Sequence, residues 1–101
     1  MLSAIVDSDR TEQLAEMFRL LGERNRLLLV YACLETPRSV QSLADELEIS
    51  MSLASQHLRL LRSARLLRAE RHGKQMFYVA SDDHVQRVLK DMASHSEEDV
   101  D

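Results

Sequence analysis

Residues 50–80 read SMSLASQHLRLLRSARLLRAERHGKQMFYVA. Within this stretch Ala54, Leu58 and Leu61 recur at i, i+4 and i+7, the spacing that lines one face of an α-helix. Ser50 stands ahead of them as an N-cap, so a helix is expected over Met51 to Ala64. Its opposite face carries Ser52, Ser55, Gln56, Arg59 and Arg62, polar first and then basic. Downstream, Leu66 to Arg71 and Gln75 to Ala80 read as strands joined by His72-Gly73-Lys74. A glycine in a short link between β-prone runs signals a hairpin. The alternation is imperfect, because Leu66-Leu67 and Met76-Phe77-Tyr78-Val79 give no clean inside and outside.

Upstream, Ser39 to Glu48 reads as a helix with Ser39 as cap and Val40, Leu43, Ala44 and Leu47 as its apolar stripe. Ile49 anchors a tight turn into the next helix. Two short helices, a turn and a basic second helix describe a helix-turn-helix. A basic hairpin after it makes the pattern a winged helix, mainly α with one β-hairpin. Earlier still, Asp7 to Leu21 is a helix with Asp9 or Thr11 as cap and Gly22 as its end. Glu23 to Leu34 follows, apolar on most sides and expected to be the most buried helix. Glu35-Thr36-Pro37-Arg38 is the loop after it. The whole is read as one domain over residues 1–101, with 1–8 and 99–101 expected to be disordered.

At 101 residues a single small domain has a limited core, and a dimer interface would add to it. No apolar run is long enough to span a membrane and no signal-peptide pattern opens the chain, so a cytoplasmic protein is expected. The lone Cys33 excludes an intrachain disulfide and reads as a small buried hydrophobe. The net charge is −4, yet residues 50–80 hold six Arg and Lys against one acid, while residues 81–101 hold seven acids against two bases. A basic middle between acidic ends is the footprint of a phosphate-facing surface. The expected DNA contacts are Ser52, Ser55, Gln56 and Arg59 on the second helix of the pair, with Arg71 and Lys74 on the wing. Gln56 is best suited to a base edge.

The last segment, Ser81 to Asp101, reads SDDHVQRVLKDMASHSEEDVD. Asp82, His84, His95 and Glu98 are all metal-binding types. In a helix His84 and His95 share a face but stand about 16 Å apart along the axis, so one helix cannot bring both to one ion. Two antiparallel copies can, which implies a homodimer with two equivalent sites of two imidazoles and two carboxylates. Asp83 can replace Asp82, and Glu97 can replace Glu98. His57 and His72 fit no such set. The donors suit Zn(II), with Co(II) as a mimic. Asp82 and His84 meet only if Asp82 lies at or before the first helical turn.

These residues together resemble the ArsR/SmtB family of winged-helix metalloregulators, over roughly residues 9–98. The resemblance is carried by Leu21-Gly22-Glu23-Arg24-Asn25-Arg26, by Ser50 to Leu58, by Arg71-His72-Gly73-Lys74 with Tyr78 behind it, and by Asp82, His84, His95 and Glu98. It implies a repressor of metal efflux or sequestration genes whose metal-free dimer holds operator DNA and releases it on binding zinc. It also implies dimerisation through the first and last helices, and a link from His95 to the region near Arg65. Many relatives carry a Cys-x-Cys where this chain has Ser39 and Gln41, which argues against a soft-metal inducer. A regulator without metal input, sensing oxidation through Cys33 or answering a protein partner, is the alternative. No small organic ligand is expected. An enzyme is not, since there is no Gly-rich phosphate loop and no nucleophile–base pair.

Overall fold

The computed structural model describes residues 5–98. Its elements are α1 (Ser8–Leu21), α2 (Arg24–Ala32), β1 (Arg38–Ser39), α3 (Val40–Leu47), α4 (Met51–Ser63), β2 (Leu67–His72), β3 (Gln75–Ala80) and α5 (Asp83–Ser96). The parts of the chain ends expected to be disordered that fall on residues 1–4 and 99–101 lie outside the described residues. Asp7, by contrast, is the cap of α1: its Oδ1 accepts from the Arg10 N–H at 2.8 Å, in place of the expected Asp9 or Thr11.

The winged helix forms as the sequence pattern implies. Ala54, Leu58 and Leu61 are fully buried, in one core with Leu29, Val30, Cys33, Leu43 and Leu67. Burying each leucine contributes roughly 1.5–3 kcal/mol, so α4 cannot rotate about its axis without losing several. Ser39 and Ser50 cap α3 and α4 through their hydroxyls, which accept from Ser42 N–H and Leu53 N–H at 3.1 and 3.0 Å. Both helices end with the chain in the left-handed region at a non-glycine residue, Glu48 at φ 57° and Arg65 at φ 61°. At each, the next residue bonds back to the helix, Ile49 N–H to Ala44 and Leu66 N–H to Leu61. These are Schellman closures, which satisfy otherwise orphaned carbonyls.

The sheet differs from expectation in three places. Arg38–Ser39, read as loop, forms an edge strand on β3, with Arg38 opposite Tyr78. The sheet order is therefore β1-β3-β2, and β3 is central. That explains its missing alternation: α3 and α5 both pack on it, and Tyr78, Val79 and Ala80 are all buried. The hairpin turn is two residues long, since His72 pairs with Gln75. Gly73, at φ 64°, takes the positive φ that such tight hairpin turns require.

α2 is shorter than expected and not apolar all round, with Leu29 and Val30 buried but Leu28 partly exposed. Its cap is Glu23, whose carboxylate accepts from the N–H groups of Asn25 (2.9 Å) and Arg26 (3.1 Å). These bonds, Asn25 first, hold the Glu23 carboxyl below the usual carboxylate range against the opposing effect of partial burial. A lowered folded-state value means the cap is fully stabilising above the unfolded range and is lost as pH falls through the folded one. Glu23→Ala is therefore expected to cost about 1 kcal/mol at neutral pH, on the scale of a lost cap. In urea melts at several pH values, the gap between variant and parent should close below about pH 4, near the unfolded glutamate value.

Candidate nucleic-acid interface and metal-ligand pairs

The exposed face of α4 carries Ser52, Gln56, Arg59 and Arg62, with Ser55 half-buried at its edge. Four arginines elsewhere are tied down: Arg19 to Glu16, Arg26 to the Leu20 carbonyl, Arg38 to Ser42 and Glu46, and Arg68 to Glu70. Among the described residues, Ser52, Ser55, Gln56, Arg59, Arg62 and Lys74 have no hydrogen bond or ion pair within the chain, so their donors face outward unspent. Arg71 makes only a weak contact with the Met76 sulfur at 3.9 Å. The wing that carries Lys74 is stiffened by His72, which stacks on Phe77 at 4.4 Å and sits 3.1 Å from the Glu70 carboxylate.

His57 occupies a different place from its helical neighbours. It turns from the exposed face toward α2, with Nε2 at 3.7 Å from Glu23 and Nδ1 at 3.5 Å from the Arg26 guanidinium. It therefore braces α4 against the start of α2.

On α5 the sequence-expected metal ligands fall into two pairs. Asp82 is the N-cap; its Oδ1 accepts from Val85 N–H at 3.1 Å while Oδ2 lies 3.7 Å from His84 Nδ1. Extended backbone at Asp82 (φ −163°) brings these i, i+2 residues together, which a continuous helix would not. The Val85 N–H first, and the His84 ring beside it, hold the Asp82 carboxyl below its usual range. At the other end, His95 Nδ1 lies 3.8 Å from Glu98 Oε2. The helix ends at Ser96, and Glu98 lies just beyond the Glu97 cap, where its N–H donates to the His95 carbonyl at 3.1 Å. Both histidines are exposed, His84 by 88% and His95 by 74%. Donors on one tetrahedral ion with bonds of 2.0–2.1 Å lie roughly 3.4 Å apart, so each pair is already close to chelating distance. No three His, Cys, Asp or Glu side chains meet among the described residues of one chain. Each end of α5 thus presents one imidazole and one carboxylate, a pair of the donor types that suit zinc, and within one chain neither pair is a complete four-donor set. Asp83 and Glu97, the alternative ligands, are exposed beside these pairs.

α5 itself is lightly held. Leu89 is its one buried residue, and the Tyr31 hydroxyl of α2 donates to the Leu89 carbonyl at 2.7 Å. Lys90 pairs with Glu35. Val88 and Met92 on its apolar side stay exposed, and Val88, with Val85 and with Phe18 of α1, borders an apolar groove of about 200 Å3. His84 stands on the rim of that groove. Sequence reading missed the residue that joins α5 to α4. The Ser81 hydroxyl donates to the Arg65 carbonyl at 2.6 Å, and the Ser81 N–H donates to the Leu66 carbonyl at 3.1 Å. Arg65 is the left-handed closing residue of α4, so one residue separates Asp82 from the recognition-helix terminus. A serine next to an expected helix cap was the only available signal.

Ser39 and Gln41 are respectively the α3 cap and an exposed side chain. Cys33 is fully buried at the end of α2, and burial pushes its thiol up to about 12. The reactive form is the thiolate, so a neutral-pH thiol in this setting is inert. Iodoacetamide is expected to leave Cys33 unmodified in the native protein and to label it once urea unfolds the chain. Mass spectrometry distinguishes the two states.

The chain matches the family described as bacterial regulatory protein, arsR family, over residues 23–69. It is 34% identical over 94 residues to a transcriptional repressor SmtB homolog of Synechocystis, covering 93% of this chain and 71% of that protein. It is 33% identical over 85 residues to the HTH-type transcriptional repressor SmtB of Mycobacterium tuberculosis, with 84% and 63% covered. It is 31% identical over 85 residues to a cadmium resistance transcriptional regulatory protein CadC homolog of Staphylococcus aureus, with 83% and 70% covered. Among solved structures, a homodimeric winged helix-turn-helix DNA-binding domain, Mb0332 of Mycobacterium bovis, shares the fold with a TM-score of 0.83 at 22% identity, covering 99% and 94%. These relatives are named as repressors and regulatory proteins, not enzymes. With an unpaired basic recognition face on a winged helix-turn-helix, the chain belongs to the ArsR family of bacterial transcriptional regulators.

Proposed function

We propose that two copies of this chain form a repressor that holds operator DNA when metal-free and releases it when Zn(II) is bound between the two α5 helices. The observation that carries this reading is the split donor set, with Asp82 and His84 at one end of α5 and His95 and Glu98 at the other. The exposed apolar side of α5 and the groove beside α1 support a second copy as the neighbour. The S. aureus relative is named for cadmium resistance, which supports a metal as the inducer class.

When bound by Asp82 and His84 of one copy and His95 and Glu98 of the other, zinc would supply a closed four-coordinate cross-link. The rest is the work of the chain. Ser52, Ser55, Gln56 and Arg59 meet the major groove, and Arg71 and Lys74 meet phosphates on either side of the wing tip. Asp82 and Ser81 are consecutive, so any change in how Asp82 is held is passed by the Ser81 hydroxyl to the Arg65 carbonyl at the end of α4. The two dimer shapes must differ in DNA affinity for the switch to work. Cys33 contributes nothing to sensing, because it is buried and its thiolate is disfavoured.

The test is operator affinity by fluorescence anisotropy at constant salt, with zinc and with chelator. Coupling of about 1–3 kcal/mol predicts a loss of roughly 5- to 150-fold on adding zinc. Titration should reach two ions per dimer, with Co(II) as a coloured stand-in. His95→Ala should remove the zinc response and spare metal-free DNA binding. An affinity indifferent to zinc would end the metal reading, and loss of metal-free binding in His95→Ala would make His95 structural.

A further inference from the structure

The recognition helix begins with a residue that its own packing does not explain. Met51 is the first residue of α4 and is 51% exposed. The inward face of the helix is already filled by Ala54, Leu58 and Leu61. Of the other large exposed apolar side chains, Phe18 and Val88 border the apolar groove between α1 and α5, and Leu60 lies in the C-terminal half of α4 beside Arg26 and His57. Met51 instead lines an open crevice of about 290 Å3 between the recognition helix and the wing, with Ser55, Gln41, Lys74 and Met76.

Three physical points converge on what fills that crevice. Side chains on a helix lean toward its N-terminus, so the first residue of α4 projects past the helix end. In helix-turn-helix proteins that end of the recognition helix approaches the base edges. The thioether is at best a weak acceptor and has no donor, so it cannot read a base by hydrogen bonding. The major groove offers one apolar group, the C5-methyl of thymine. An unbranched, polarisable side chain adapts to such a contact without a preformed pocket. Lys74, across the same crevice, has no partner within the chain and supplies a cation for the phosphates alongside.

We infer that Met51 is a specificity-determining residue that packs on the C5-methyl of a thymine in each operator half-site. The inference rests on DNA binding by this family member but not on its response to metal. The full chain, metal-free, is used to select a tight duplex from a random pool. Each thymine in that duplex is then replaced singly by deoxyuridine, which removes only the methyl, and affinity is measured at constant salt. One thymine per half-site is expected to be methyl-sensitive, with a loss of about 4-fold for the parent protein, the scale of one buried methyl group. Met51→Ala should bind the thymine and deoxyuridine duplexes equally, at the parent's affinity for the latter. Met51→Leu, which keeps an apolar side chain of similar reach, should retain the discrimination. The exposed position leaves the core intact, and melting curves check that both variants fold. If no thymine is methyl-sensitive, or if Met51→Ala keeps the same loss, the inference is overturned while the regulator reading stands. If no duplex is selected at all, both fall together.

Discussion

Burial of Ala54, Leu58 and Leu61 against Leu29, Val30 and Leu43 fixes the rotation of α4 about its own axis. Once that narrow stripe is turned inward, helical geometry leaves Ser52, Gln56, Arg59 and Arg62 no choice but to face out. Arg19, Arg38 and Arg68 are paired with carboxylates, while Arg59 and Arg62 on this face are not. The interface is therefore a by-product of core packing in its orientation, and of unpaired charge in its chemistry. His57 adds a brace from the rim of the same helix, reaching Glu23 and Arg26 where α2 begins.

α5 obeys the opposite logic. Buried Leu89, half-buried Val85, the Tyr31 hydroxyl and the Lys90–Glu35 pair hold it to the body, while most of its other side chains stay exposed. A helix this weakly anchored can be reoriented at little cost in core packing. Its N-terminal end is nevertheless bonded through Ser81 to the residue that closes the recognition helix. A lightly packed element with a direct hydrogen-bonded connection to α4 suits a switch, since coupling needs a contiguous element with two arrangements rather than proximity alone. The left-handed Arg65 concentrates conformational strain at that junction, where a non-glycine residue in this region costs about 1–2 kcal/mol.

Periodicity was sufficient for α1, α3, α4 and α5 because each has a one-sided apolar stripe with a hydroxyl or carboxylate cap in front of it, whereas α2 was legible from its apolar run between Gly22 and Pro37. It failed where backbone pairing alone makes the structure. Arg38–Ser39 is too short to show alternation, and its strand exists only because β3 offers it an open edge. The same central placement of β3 erased the alternation of Tyr78, Val79 and Ala80, since a strand covered on both faces has no polar side. At the chain's end, apparent helical spacing placed His95 and Glu98 on one turn. The two do approach each other, as that i, i+3 spacing implies, in the tightened turn just after Ser96.

Sequence by itself determined the order of the helices, the face of α4 that meets solvent, and the pairing of an acid with a histidine at each end of α5, because side-chain period and local capping are encoded within a few residues. The fixed rise of a helix was enough to establish that those donors cannot serve one ion in a single chain. Only the tertiary structure decided which cations are already spent on internal partners, that Cys33 is sealed away from chemistry, and that Ser81 ties the start of α5 to the end of α4. These depend on contacts between residues distant in the chain, whose distances are set by the packing of the whole core.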